Sequence, residues 1–79
     1  MRKIIIGKTY RHFKGNLYKV IDIVNDSEST GKELKKVVIY EALYGEHLKW
    51  ARSYDAFISK VDKDKYPDSN QIYRFEEIN

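Results

Sequence analysis

Thr9-Tyr10-Arg11-His12-Phe13-Lys14-Gly15-Asn16-Leu17-Tyr18-Lys19-Val20 is the stretch that decides the fold. Aromatic and β-branched residues alternate with charge, and Lys14-Gly15-Asn16 interrupts them with turn-forming residues. That pattern reads as two short strands, 9–13 and 17–24, joined by a tight turn. In the second strand Leu17, Ile21 and Ile23 fall on one face and Tyr18, Val20 and Val24 on the other.

The same alphabet recurs downstream. Residues 35–44 predict a third strand, in which Val37, Ile39 and Leu43 oppose Val38, Tyr40, Ala42 and Tyr44. Gly45-Glu46-His47 turns the chain into a fourth strand at 48–52, and 71–76 predict a fifth. Two polar stretches, 25–32 and 63–70, carry almost nothing to bury and read as connecting loops. Glu76-Glu77 reads as a solvated chain end.

One segment leaves the period of two. Tyr54, Phe57, Ile58 and Val61 are spaced i, i+3, i+4 and i+7, the stripe of an amphipathic helix. Ser53 is placed to cap its first turn, and Asp55 suits the positive end of the helix dipole. A short helical turn near 54–61 plugging an open sheet follows. The fold class is mainly β: a small, partly open barrel of about five short strands.

Size and composition set limits. The chain of 79 residues makes one domain, 1–79, with its basic segment 1–8 an extra strand or a tail. A domain this small buries only about 60% of its unfolded surface. It has no cysteine, so no disulfide or thiolate site braces it. Aromatic residues, 14% of the chain, supply the core instead, at about 150–250 Å² buried per ring. The absence of cysteine points to a reducing compartment, and Ile4-Ile5-Ile6 is too short for a signal core or a membrane span. The expected location is the cytoplasm.

The blocks Tyr10-Arg11-His12-Phe13-Lys14-Gly15-Asn16-Leu17-Tyr18, Val37-Val38-Ile39-Tyr40, Leu43-Tyr44-Gly45, Trp50-Ala51-Arg52, Phe57 and Arg74-Phe75 together resemble the bacterial DUF1653 family of small uncharacterised domains. The likeness spans roughly residues 7 to 78. It implies an SH3-like barrel and implies no activity. Where the family shows Trp-Val-Arg-Pro, this chain has Trp50-Ala51-Arg52-Ser53, and its loop from Asn25 to Glu33 is longer than usual. Ser53 replaces the proline as the start of the helical turn.

Chemistry is scarce. Zinc takes three or four His, Cys or carboxylate ligands, and the two histidines, His12 and His47, lie on different segments. No metal site and no cofactor are expected. There is no Gly-x-Ser-x-Gly elbow, and the glycines at 7, 15, 31 and 45 are too scattered to cradle a phosphate.

What stands out is Tyr10, His12, Tyr40, Tyr44, Trp50 and Arg52, aromatic faces beside a guanidinium. Trp50 and Arg52, two apart on one strand, share a face. Such a set grips an extended peptide, a partner protein or a small planar ligand. The leading expectation is a non-catalytic binding module with a peptide or protein partner.

An alternative is nucleic-acid binding through Arg2, Lys3, Lys8, Arg11 and Lys14. Residues 1–19 hold six basic side chains and no acid, in a chain of net charge +3. A third reading is an enzyme, built on a deep polar pocket where His12, Arg52 or a carboxylate converge. Ligand identity and oligomeric state have no signature in the sequence.

Overall fold

The computed structural model describes residues 3–78. Five antiparallel strands form one sheet: β1 (Thr9–His12), β2 (Leu17–Asn25), β3 (Lys36–Ala42), β4 (Lys49–Ser53) and β5 (Phe75–Ile78), in the order β4-β3-β2-β1-β5. The β1–β2 turn forms as its residues predict. Gly15 adopts φ 108°, where a side chain would be strained, and its amide closes the turn on the His12 carbonyl at 2.7 Å.

A β-bulge corrects the face assignment in β2. Val20 lies opposite Tyr40, but Asp22 lies opposite Ile39, so Ile21 is an extra residue in the ladder. The insertion moves Ile23, opposite Val38, onto the inner face with Tyr18 and Val20. Val24 is left exposed. In β3 the inner residues are Val38, Tyr40 and Ala42, all buried.

α1 is shorter than its stripe predicts, a single turn over Tyr54–Phe57. The Ser53 hydroxyl caps it, accepting the Ala56 amide at 3.2 Å. The Ser59 hydroxyl donates to the Ala56 carbonyl at 2.6 Å, a local bond that competes with further helix. The stripe still reaches the core: Phe57 and Val61 are buried, and Tyr54 and Ile58 pack against the central cluster.

The fifth strand starts later than the sequence predicts. Gln71–Arg74 are used before it, where Tyr73 bridges Lys60 and the Arg74 amide donates to the Ser59 carbonyl. Glu76 is no solvated end. One of its carboxylate oxygens accepts the backbone amides of Ile72 and Tyr73, both at 3.1 Å.

Among the described residues no strand pairing joins β4 to β5, so the sheet is not closed into a barrel. α1 and the Lys60–Tyr73 bridge occupy that seam, with Phe57 stacked on Phe75. The central cluster comprises Ile4, Tyr10, Val20, Val38, Tyr40, Phe57 and Phe75.

The described part of the basic N-terminal segment, residues 3–8, is not a strand. It is a tied-down strap that buries Ile4 and bonds Gly7 and Lys8 to Val20. No described helix is long and apolar enough to cross a membrane.

Candidate functional site

The sheet register places a row of side chains on its inner face at one end. His12 lies opposite Phe75, Tyr10 opposite Tyr18, Tyr18 opposite Ala42, and Tyr40 opposite Trp50. Arg52 follows Trp50 two residues on, opposite Val38. Tyr44 joins from the turn after β3, held where the Leu43 amide donates to the Leu17 carbonyl. His12, Tyr18, Tyr40, Tyr44, Trp50, Arg52 and Phe75 line a recess of about 230 Å³.

Five of the six residues in the aromatic–arginine set therefore share one surface. The sixth does not. Tyr10 is 1% exposed, packs edge-on against Phe57, and accepts the Ile5 amide on its hydroxyl at 2.9 Å. It shares a face with His12 but sits under the plug, and it belongs to the core. Tyr18 and Phe75 enter the site instead.

The walls pack on one another. Tyr18 makes edge-to-face contacts with Tyr40, Tyr44 and Phe75 at centroid distances of 5.4, 5.7 and 5.7 Å. Its hydroxyl shares a 2.8 Å hydrogen bond with that of Tyr44. Burial and the Tyr44 hydroxyl push the Tyr18 phenol up to about 12. Arg52 donates from Nε to the Tyr40 hydroxyl at 3.2 Å and lies 5.9 Å from the Phe75 centroid. Tyr44 and Trp50, roughly half exposed at 45% and 49%, form the rim.

His12 is held neutral. Burial first, then the charges of Arg52, Arg74 and Lys14, lower its pKa from 6.5 to about 4. Its Nδ1 accepts the Lys14 amide at 3.1 Å, so the neutral ring carries its proton on Nε2.

The basic residues of the nucleic-acid alternative are dispersed. Arg2 lies outside the described residues. Lys3 and Lys8 are exposed on the strap, and Arg11 lies opposite Glu76. Lys14 turns to Phe13 and Tyr66, its ammonium 5.4 Å from the Tyr66 centroid. A second hollow, about 320 Å³, lies there between Phe13, Lys14 and the loop 65–69. Its aromatic face is already covered by Lys14 and Lys65, so the inner recess is the better candidate.

Among the described residues no three His, Cys, Asp or Glu side chains gather to hold a metal. The His47 Nδ1 lies 3.4 Å from a Glu41 carboxylate oxygen.

A family model described as a protein of unknown function, DUF1653, matches residues 8–77. No curated protein and no solved structure matches the chain.

Proposed function

The chain belongs to the DUF1653 family, and we propose that it is a non-catalytic binding module whose inner recess takes one planar group. The observation that carries this reading is the convergence of Tyr18, Tyr40, Tyr44, Trp50 and Phe75 around Arg52 and a neutral His12. Ligand sites use a few fixed polar groups to orient what they hold, and here the Arg52 guanidinium and the His12 imidazole stand among aromatic rings, polar and apolar surface sharing the lining about equally. Pockets that hold drug-sized ligands measure roughly 300–1,000 Å³. A recess of about 230 Å³ suits a single ring, free or presented on a peptide or partner protein. As in the aromatic-lined grooves of SH3 domains, the contact surface is a set of aromatic rings.

The polar groups favour holding over turnover. No carboxylate lines the recess, and a phenol raised to about 12 supplies little phenolate near neutrality. The neutral imidazole donates through Nε2 and is a weak base with its pKa near 4.

Trp50 is the only tryptophan, so its fluorescence reports the rim directly. Titration with a panel of single-ring planar compounds should give saturable changes in the folded protein. Tyr44→Ala, which removes a rim wall, should weaken them severalfold. A panel with no effect on Trp50, or one that binds Tyr44→Ala unchanged, would contradict the proposal.

A further inference from the structure

The charge of the recess is opposite to what its walls alone would attract. Tyr and Trp faces draw cations, and a cage of them ordinarily selects a cationic ligand. This cage already contains one. The Arg52 guanidinium sits over Phe75 and is anchored through Nε to the Tyr40 hydroxyl.

The cation is uncompensated. Among the described residues no carboxylate oxygen lies within 4.0 Å of the Arg52 guanidinium; the one contact of that kind joins the His47 imidazole to Glu41. None of the seven lining residues is acidic. Arg74 and Lys14 add positive field at the same end, as their effect on His12 shows. A second cation entering here meets repulsion with no counter-charge.

The guanidinium also has donors to spare. Arginine carries five N–H groups, and the Nε–H is the one bound to Tyr40. The two terminal nitrogens remain to form the parallel pair of bonds that a carboxylate accepts. Resting on the binding reading above, we infer that the ligand of this recess is a small planar carboxylate. Its flat ring lies among Trp50, Tyr40, Tyr44 and Tyr18, and its carboxylate lies on Arg52.

The test titrates wild-type protein and Arg52→Gln with benzoate, benzamide and trimethylphenylammonium, read by Trp50 fluorescence at low salt. Benzoate should bind about tenfold or more tighter than benzamide, the increment of a charge-assisted pair. The ammonium should bind weakest, and Arg52→Gln should erase the preference for benzoate. Arg52→Lys, which keeps the charge but loses the fork, should bind benzoate severalfold more weakly; near-UV circular dichroism confirms that each variant is folded.

Equal binding of benzoate and benzamide would overturn this inference and leave the planar-group reading intact. Tightest binding by trimethylphenylammonium would make the recess a cation cage and overturn it too. Silence from all three probes would remove the binding reading together with the inference.

Discussion

Phe57 and Phe75 lie in parallel, their ring centroids 4.0 Å apart and their planes within 4°. One ring comes from the single-turn helix and the other from an edge strand, so the stack spans the seam where β4 and β5 do not pair. Phe75 is also the floor beneath Arg52 and His12. Core and candidate site thus share a wall. Phe57→Ala should cost about 3–5 kcal/mol, a large fraction of the roughly 5–15 kcal/mol that holds a small domain together. Phe57→Leu should cost clearly less. Urea unfolding of both variants checks this; an unchanged midpoint for Phe57→Ala would mean that packing across the open seam does not stabilise the fold.

The bulge at Ile21 makes a sharper claim about adjacent residues. Ile23 faces the core and Val24 faces solvent. Val24→Thr should change stability by about 0.5 kcal/mol or less, as surface substitutions do. Ile23→Thr should cost at least about 1 kcal/mol, from lost apolar burial and a hydroxyl placed against the core. The reverse order in thermal denaturation would restore an unbroken alternation through β2.

His12 gives a pH dependence with a definite sign. Its folded pKa of about 4 lies below the ordinary 6.5, so between those values the unfolded chain binds the proton more readily. This group leaves stability unaffected above about 6.5, lowers it as the pH drops through that window, and changes it no further below about 4. Carboxylates titrate nearby, so the comparison is with His12→Gln, whose stability should fall less over the same range. NMR titration should show the His12 ring still neutral at pH 5.5, and a midpoint near 6.5 would contradict its burial among cations.

Ser53 tests how this chain departs from the family pattern. Ser53→Ala removes the helix cap and should cost about 1 kcal/mol. Ser53 has φ −57°, which proline adopts without strain, and it follows an extended residue of β4. Ser53→Pro should therefore cost less than Ser53→Ala, because the stiffer unfolded chain offsets part of the lost cap. A proline variant less stable than the alanine one by calorimetry would contradict this.

Much of this architecture is legible in the residues themselves. Lys14-Gly15-Asn16 announces its turn, and Ser53 announces its cap, because both depend on local backbone chemistry. The bulge leaves no trace, since Ile21 and Ile23 are both apolar and an inserted residue does not break the pattern. Residues 71–74 resemble strand in composition but are bound to Lys60, Ser59 and Glu76, partners distant from any local signal or read as solvated.

In the site, parity along a strand puts Tyr10 and His12 on one face and cannot say which of them the plug covers. Phe57 decides it, by packing on Tyr10 and leaving His12 at the open end. Tyr18 carries the same parity signal in its spacing from Val20, and Phe75 is marked in the sequence only by its place in the Arg74-Phe75 block. Ile4 entered the core through strap hydrogen bonds, Ile4 N to the Tyr54 hydroxyl and Ile5 N to that of Tyr10, that no periodicity encodes.

The most direct test of the central claim is a ¹⁵N-edited NMR titration of the folded protein with benzoate, following side-chain N–H signals. The binding account predicts coordinated, saturable shifts at the Arg52 guanidinium, the Trp50 indole and the His12 imidazole, with one shared dissociation constant. Shifts confined to the Lys14–Tyr66 hollow would contradict it, as would none with benzoate and none with benzamide or trimethylphenylammonium in a folded protein.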